Sequence, residues 1–253
     1  CSDKYLFFKN FNRKFLLNYV GFFDFESIHT SQNCEKCKDI CNCNTQVIAI
    51  QQPITYSLII LDKDLQIDFQ EKYTGYDCID RFLESLQKID ERYSLILNRI
   101  EPMQFTQLDL EDFNKSNKCH ICEEQISKEH IKVRDHCHLT GKYLGPAHNE
   151  CNLKRQEKKY IPFFCHNLSG YDGHFIIKAL KYNNFKNISA IPYNTEKFRN
   201  IKLDNIILLD SFSFLSASLN ELMTNLLQNK NHEFKILDQM KLYPENNDEA
   251  KQL

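Results

Sequence analysis

The sequence predicts a mixed α/β fold of the α+β kind, interrupted by a small metal-binding domain. Three observations predict it: strand-like runs come first along the chain, a short Cys- and His-rich segment follows, and strands and helices then alternate. With 253 residues, 42% of them hydrophobic, the chain is long enough for one sizeable domain and a small inserted one. The expected segments are 1–112, 113–160 and 161–253.

The first segment is predicted to form an antiparallel sheet covered by one helix. Residues 16–25 are an apolar, aromatic run typical of a buried strand, with Asp24 at its end. Two more strand-like runs, 54–61 and 65–73, flank three polar residues, which favours a hairpin. From 77 to 100, apolar residues recur at spacings of three and four, as on one face of an amphipathic helix.

The last segment shows the alternation of strands and helices. The predicted strands cover 161–166, 188–193 and 201–212, and the predicted helices cover 173–181 and 219–228. A β-rich start followed by this alternation predicts a sheet with mixed strand directions.

Charge and hydropathy limit the classes of function. No run reaches the roughly eighteen consecutive apolar residues of a membrane span, and the N-terminus lacks a secretory signal pattern, so we expect an intracellular protein that is not secreted and has no membrane partner. The net charge is −2, but 113–160 carries ten Lys and Arg against six Asp and Glu. This basic segment indicates either a face that meets nucleic-acid phosphates or an ordinary solvated face.

The basic segment contains two ligand pairs, Cys119-x-x-Cys122 and His148-x-x-Cys151. This spacing is typical of tetrahedral zinc sites in which each pair lies on a tight turn. In so short a segment with few core hydrophobes, a structural metal would also supply folding free energy. The other interpretations are that these are core cysteines, or that His138 replaces His148 as a ligand.

A second set of polar residues lies between and after these pairs: Asp135, His136, His138 and Asn152. A neutral His can accept a proton from water. A carboxylate together with an amide oxygen can hold Mg²⁺ beside a scissile phosphate. This set therefore indicates a candidate nuclease site.

Three acids outside the basic segment also suit metal binding. Asp24 and Glu26 alternate on the first predicted strand, so both side chains emerge on one face and can hold a divalent ion. Asp172 lies at the start of a predicted helix, and a third carboxylate suits two-metal phosphodiester hydrolysis. The nearby Asn167 and Tyr171 could hydrogen-bond to and stack on a single-stranded end. A DxE pair alone more often represents two solvated carboxylates.

The remaining cysteines form a cluster and four isolated positions. In the predicted loop 31–44 a second zinc ion could be bound by Cys34, Cys37, Cys41 and Cys43. Because Ser, Asn, Glu and Lys dominate that loop, it could equally be disordered with reactive thiols. The cysteines expected to be ordinary residues are Cys1, Cys78, Cys137 and Cys165.

The residues VRDHCHLTGKYLGPAHNECN strongly resemble nucleases of the recombination endonuclease VII type, in the HNH or ββα-metal group. The resemblance covers about residues 116–158, and the zinc ligands that it implies are Cys119, Cys122, His148 and Cys151. It also implies Mg²⁺ on Asp135 and Asn152, His136 as the general base and His138 as support for the phosphate. The departure is His148, where family members usually have Cys, but zinc accepts either ligand.

The segments FFDFES and HNLSGYDGHF resemble the first two exonuclease motifs of family-B DNA polymerases, especially the protein-primed branch of polintons (Mavericks), adintoviruses and linear plasmids. QQPITYSLIILD, YTGYDCIDRFL and ILLDSFSFLSASLNEL look like the same branch, so the resemblance covers about residues 16–240. It implies a ribonuclease H-like 3′→5′ exonuclease domain with the zinc module inserted between the two motifs. The implied Mg²⁺ or Mn²⁺ ligands are Asp24, Glu26 and Asp172, and the implied contacts to a single-stranded primer end are Ser27, Asn167, Tyr171 and Ser211.

The resemblance predicts an N-terminal fragment of a DNA-directed DNA polymerase of a transposable element or virus, acting in DNA replication in the nucleus. The expected partners are DNA, as single-stranded ends or as branched or duplex DNA, and a terminal protein primer. The third exonuclease motif, a YxxxD expected after the second, is not found near the C-terminus, and the polymerase palm carboxylates are missing too. This chain should therefore not polymerise DNA, and its exonuclease activity should be absent or very weak. The other interpretations are a catalytically inactive transposon-derived zinc and DNA-binding protein, and a zinc-finger regulatory protein.

Overall fold

The computed structural model describes residues 17–31, 49–155, 158–182, 184–194 and 197–228. These residues form a mixed α/β fold with a seven-stranded sheet of mixed strand directions, which confirms the predicted fold class in its coarse form. Outside the described residues lies the second cysteine cluster, Cys34, Cys37, Cys41 and Cys43.

The strands and α-helices of the described residues are numbered in chain order. They are β1 (Tyr19–Ser31), β2 (Ala49–Asp62), β3 (Ile67–Thr74), α1 (Cys78–Leu97), α2 (Gln107–Lys115), β4 (Lys132–His136), β5 (Tyr143–His148), α3 (Asn149–Lys154), β6 (Ile161–Cys165), α4 (Asp172–Ala179), β7 (Ile188–Pro192), β8 (Phe198–Leu203), β9 (Ile206–Asp210) and α5 (Leu219–Gln228). Among the helices of these described ranges, none has the length and apolar character needed to cross a membrane.

The chain divides into two compact units. The sheet unit combines residues 18–90 with the described residues from 161 onward, and the inserted unit contains residues 91–160. The sequence predicts that the insert starts at the composition shift near Phe113. That residue lies within α2, inside the inserted unit.

The sheet has the strand order β3-β2-β1-β6-β9-β8-β7. The strands β1, β2 and β3 pair antiparallel, whereas β6 is parallel to β1 and β9 is parallel to β6. Beyond β9, β8 pairs antiparallel with β9, and β7 pairs antiparallel with β8. The three parallel neighbours β1, β6 and β9 therefore end at the same edge, and ligands commonly bind beyond such carboxyl ends in α/β sheets.

Two predicted strands differ from those observed. The predicted strand 201–212 is in fact two strands, β8 and β9, because Asp204 adopts φ 49° and turns the chain between them. Asp is one of the few non-glycine residues that adopt this left-handed conformation. The first strand is also longer than predicted, so Asp24 lies within β1 and not at its end.

The predicted hairpin between β2 and β3 is confirmed. Asp62 closes its turn, because Asp62 Oδ1 accepts hydrogen bonds from the backbone N–H groups of Asp64 and Gln66, both at 2.9 Å. This Asx-type turn explains why the polar residues interrupt the two apolar runs.

Aromatic side chains cover one face of the antiparallel strands. The Phe82 ring of α1 has its centroid 4.9 Å from that of Phe23, 4.8 Å from that of Phe25 and 5.4 Å from that of Tyr56. Since successive side chains of a strand point to opposite faces, burying Phe23 and Phe25 places Asp24 on the other face.

Within the sheet unit, hydrogen bonds connect the two positions between which the inserted unit lies. Asn205, in the turn between β8 and β9, donates its backbone N–H to Asp90 Oδ1 at 3.0 Å. The carbonyl oxygen of the same residue accepts from the N–H of Ile161 at 2.9 Å. One residue thus bridges the last position before the inserted unit and the first position after it.

The inserted unit has a small apolar core. Its buried centre consists of Cys119, Ile121 and Ala147. The β4–β5 hairpin followed by α3 gives a ββα arrangement around that core. Two basic side chains of β4 lie over the α2 residue Phe113, with Lys132 Nζ 4.6 Å and Arg134 Cζ 5.2 Å from the ring centroid. Such a small core is what a structural metal would reinforce.

Candidate metal centres

The inserted unit brings the two predicted zinc-ligand pairs together. The ligand atoms of Cys119, Cys122, His148 and Cys151 all lie within 4.8 Å of one another. His148 Nδ1 is 3.4 Å from Cys122 Sγ and 3.8 Å from Cys151 Sγ. Tetrahedral zinc bonds of about 2.0–2.3 Å separate neighbouring ligand atoms by roughly 3.3–3.8 Å, so this group is compatible with zinc.

A tight turn explains how the first pair converges. The Glu123 N–H donates to the Cys119 carbonyl at 2.8 Å, and Glu123 adopts φ 64°. Burial raises the pKa of the Cys119 thiol, but hydrogen bonds from backbone N–H groups, including that of His148, outweigh burial and lower this pKa. These N–H groups favour the thiolate, which is the form that binds metal.

The second pair lies on a strand-to-helix junction and not on another tight turn. His148 ends β5, and Cys151 lies within the short helix α3. His148 Nε2 is 3.2 Å from the Gln125 carbonyl, which can only accept, so Nε2 carries the proton and Nδ1 presents its lone pair to the sulfurs. His138, the other candidate for fourth ligand, has its ring 5.0 Å from that of His136. Among the described residues, the ligand group contains His148 and not His138.

Asp135 is buried, and its charge is matched by two neighbours. Its side chain is 4% exposed, and Oδ2 accepts from His120 Nε2 at 2.7 Å and from the Arg155 guanidinium. Burial raises the pKa of Asp135, but the hydrogen bond from His120 and the charge of Arg155 outweigh it and hold the pKa below its ordinary value. The carboxylate thus links the Cys119–Cys122 turn, β4 and the C-terminal end of α3.

The other predicted nuclease residues of the inserted unit lie around this ion pair. His136 follows Asp135 at a β-bulge in the β4–β5 pairing, and bulges often re-aim side chains at functional sites. Asn152 lies in α3 directly after Cys151, and its carbonyl accepts from the Arg155 N–H at 3.1 Å. Within the described part of the chain, the direct partners of the Asp135 carboxylate are His120 and Arg155, and Asn152 is not among them.

The sheet unit brings two of the three predicted acids together. Ligand atoms of Asp24, Cys165 and Asp172 lie within 4.8 Å of one another. Asp24 belongs to β1, Cys165 ends β6, and Asp172 is the first residue of α4. Because β1 and β6 are parallel neighbours, the sheet itself assembles residues that are far apart in the sequence.

Asp172 has an unusual environment for a carboxylate. The residue is 2% exposed, Oδ2 accepts from the Cys165 thiol at 3.1 Å, and Oδ1 is buried with no hydrogen-bond partner within the described residues. Burial raises the pKa of Asp172 to about 7, and the charges of Asp24 and Glu26 add to this rise while the Cys165 hydrogen bond opposes it. A divalent cation would relieve both the burial and the repulsion.

Asp24 and Glu26 share the exposed face of β1, as the alternation of residues predicts. Burial raises the pKa of Asp24, and the negative charge of Glu26 raises it further. Glu26 itself lies outside the close group of ligand atoms. The ion pairs between described residues involve neither Asp24 nor Asp172, so no Lys or Arg of that part of the chain neutralises them.

Two of the predicted DNA contacts bond to each other beside the acids. The Tyr171 hydroxyl forms hydrogen bonds with Ser27 Oγ and with Gln51 Nε2. The Tyr171 ring packs edge-on against Phe175, with centroids 5.5 Å apart. Tyr171 is thereby connected to β1 and β2.

The other two predicted DNA contacts lie at the ends of β6 and β9. Asn167 is exposed and adopts φ 62° before the 3₁₀ turn Leu168–Gly170. Ser211 Oγ lies 3.0 Å from His166 Nδ1, and His166 Nε2 lies 3.0 Å from the Ala217 carbonyl. Of these residues, His166 and Ser211 are fixed in position by hydrogen bonds.

Several residues of the two centres do not stand out in the sequence. They are His120, Arg155, Cys165 and His166. The only signal for His120 is its place inside the Cys119–Cys122 pair, and the signal for Arg155 is its place about one helical turn after Asn152. Cys165, which the sequence suggests is an ordinary residue, has its thiol 3.1 Å from Asp172 Oδ2.

Comparisons of the chain with family models, with curated proteins and with solved structures gave no match. The function therefore has to be inferred from the residues of the two centres.

Proposed function

We propose that this chain belongs to the nuclease region of a family-B DNA polymerase of the protein-primed branch, and that Asp24, Glu26 and Asp172 bind Mg²⁺ or Mn²⁺ for 3′→5′ exonuclease chemistry. The observation that carries this proposal is the Asp172 carboxylate, which is buried with one oxygen unpartnered beside a second carboxylate. A buried acid of this kind is a strong candidate for a functional site.

The sheet supports a ribonuclease H-like domain. Three antiparallel strands, β3-β2-β1, are followed by the parallel strands β6 and β9. The acids lie on β1, which neighbours the middle strand β6, and at the start of the helix that follows β6. This placement supports the proposal that the two sequence motifs form one site.

When bound, the metal ions would activate a water molecule and stabilise the leaving oxygen of the phosphodiester. The chain itself would position the DNA. The Tyr171 hydroxyl is held by Ser27 and Gln51 next to the acids. On the same strand face as Asp24, the exposed Phe22 ring lies 6.0 Å from that of Phe164, which lies 6.3 Å from the exposed Phe214 ring. Such aromatic rings suit stacking of unpaired bases.

The inserted unit would be held together by zinc on its Cys and His ligands. A specific observation favours DNA binding over DNA cutting for this unit, because the Asp135 charge is already matched by Arg155 and His120. This agrees with the second candidate function, a zinc and DNA-binding protein of transposon origin without catalysis. On the leading proposal, the partners of the intact polymerase are primer DNA and a terminal protein, and the setting is DNA replication in the nucleus.

Binding of Mn²⁺, followed by electron paramagnetic resonance, tests the site in the sheet unit. We expect the chain, with zinc already loaded, to bind Mn²⁺, and Asp172→Asn and Asp24→Asn each to weaken this binding by more than about tenfold, since each removes an anionic ligand. The control is Asp80→Asn, an exposed acid in the first turn of α1.

Degradation of 3′-labelled single-stranded DNA provides a second measurement. Any Mn²⁺-dependent degradation by the chain should disappear in Asp172→Asn and persist in Asp80→Asn. Equal Mn²⁺ binding by the parent chain and by Asp172→Asn would refute the proposal.

A further inference from the structure

The acid site of the sheet unit contains a sulfur atom that the exonuclease motifs do not assign. Cys165 Sγ lies 3.1 Å from Asp172 Oδ2, and it belongs to the group of ligand atoms within 4.8 Å that includes Asp24. The four ligands of the inserted unit form a separate group. The site therefore offers two carboxylates and one thiol to a cation.

The position of this thiol is fixed by the sheet. Cys165 is 1% exposed and ends β6, where it pairs with Asp210 of the parallel neighbour β9. Asp172, its hydrogen-bond partner, is 2% exposed and has one oxygen without a partner. The unpartnered oxygen and the thiol lie close together and are both buried. They could therefore bind one ion without moving far, so part of its coordination shell is already in place.

The kind of donor decides which ion fits. Carboxylate oxygens suit Mg²⁺ and Mn²⁺, whereas thiolate sulfur selects softer ions such as Zn²⁺. We propose that Asp24, Cys165 and Asp172 form a binding site for a thiophilic divalent cation, Zn²⁺ or Cd²⁺, which excludes Mg²⁺ from the same carboxylates. When the metal–sulfur bond forms, the thiol proton that now faces Asp172 leaves to solvent.

This inference rests on the proposed function only in that both use the carboxylates of Asp24 and Asp172. The consequence is competition: a soft ion would occupy the ligands that the nuclease chemistry needs. Cys165→Ser separates the two roles, because a hydroxyl can still donate to Asp172 but is a poor ligand for soft ions. The serine chain should therefore no longer bind the soft ion tightly.

Cobalt titration of the full chain tests the site directly. The four-ligand group of the inserted unit is first filled with zinc, and Co²⁺ is then added while the thiolate-to-cobalt charge-transfer absorbance is recorded. We expect a band in the parent chain that is absent in Cys165→Ser and unchanged in Cys78→Ser, a buried free cysteine of α1. Zn²⁺ affinity at this site should fall by at least about 10–100-fold in the serine variant, as even outer-shell changes have effects of that size.

Cadmium-113 magnetic resonance of the unsubstituted chain gives a measurement that does not depend on how a variant folds. We expect a resonance typical of one sulfur with oxygen ligands, displaced by excess Zn²⁺. An absorbance band that is unchanged in Cys165→Ser, or the lack of any one-sulfur cadmium resonance, would overturn the inference. A Cys165-dependent band in a chain that binds no Mn²⁺ would uphold it while refuting the proposed nuclease site.

Discussion

Asp135 of the inserted unit and Asp172 of the sheet unit are both buried carboxylates, but their surroundings have opposite effects. Arg155 and His120 hold the pKa of Asp135 below its ordinary value after outweighing its burial. Burial, with the charges of Asp24 and Glu26, raises the pKa of Asp172 to about 7. The first acid has its cation within the protein, and the second has none among the described residues.

Asp135 is therefore interpreted as a structural acid, and Asp172 as part of a site where an external cation would compensate for the buried charge. Burying an ionised group is unfavourable unless an opposite charge or hydrogen bonds compensate for it. Asp135 has that compensation and connects three parts of the inserted unit. Asp172 lacks such compensation among the described residues, so a divalent ion would supply the missing positive charge. On the proposed function the two units would bind metal for different reasons, because in the inserted unit zinc would take the place of a larger core.

Removing zinc should have the largest effect, and it should be confined to the inserted unit. Zinc contributes about 10–16 kcal/mol of apparent folding free energy in small zinc-dependent domains, which exceeds what the Cys119, Ile121 and Ala147 core can replace. With a chelator or in Cys119→Ser, amide hydrogen exchange should become fast in the inserted unit and stay slow in the sheet unit. The matched control is Cys137→Ser, a free cysteine of the inserted unit outside the ligand group. Persistent protection of the inserted unit without metal would contradict this expectation.

Neutralising the two acids should change stability in opposite directions. Asp135→Asn removes the buried carboxylate that Arg155 and His120 contact and should destabilise the protein by about 3–5 kcal/mol. Asp172→Asn removes an uncompensated buried charge, so the metal-free protein should be as stable as the parent or more stable at pH 8. Urea unfolding followed by circular dichroism measures both changes. Equal destabilisation by both substitutions would contradict the view that the charge of Asp135 is compensated and that of Asp172 is not.

The pH dependence of stability should be a smaller effect per pH unit, and it again distinguishes the acids. The folded-state pKa of Asp172, about 7, lies above the ordinary value of 3.8, so between these values the folded state binds more protons than the unfolded state. Stability of the metal-free protein should therefore fall as pH rises from about 4 to about 7, by at most about 1.4 kcal/mol per pH unit. Asp135, whose pKa is lowered, should lose its contribution only as pH falls below 3.8.

Asp172→Asn serves as the control for this pH dependence, since it removes the titrating group. Thermal unfolding at several pH values without divalent ions measures the slope in the parent and in the variant. An identical slope in the two chains would show that the Asp172 carboxyl does not titrate in this range.

The sequence predicts those parts of the fold and sites that depend on local spacing. The four ligands of the inserted unit come from two short pairs, and the alternation of Asp24 and Glu26 along β1 is a property of any strand. The helix starting at Asp172 and the hairpin at Asp62 likewise follow from neighbouring residues. These features need no knowledge of which strands pair.

What the sequence does not show depends on contacts between distant segments. Arg155 is an ordinary basic residue until the end of α3 meets β4, and Cys165 has no partner until α4 folds back to the end of β6. The break between β8 and β9 was missed because a left-handed Asp204, unlike a glycine, gives no clear signal in an apolar run.

The bridge that Asn205 makes between Asp90 and Ile161 has a consequence for how the chain can fold. Pairing β1 with β6 requires the whole intervening chain to close as a loop, and the entropy of closure grows only with the logarithm of loop length. If the inserted unit folds first around zinc, less flexible chain separates β1 from β6. The entropic cost of closing the loop is then smaller than the number of intervening residues implies. The sheet unit could then accommodate the inserted unit at little additional entropic expense, provided that the two ends of the insert remain as close together as this single residue holds them.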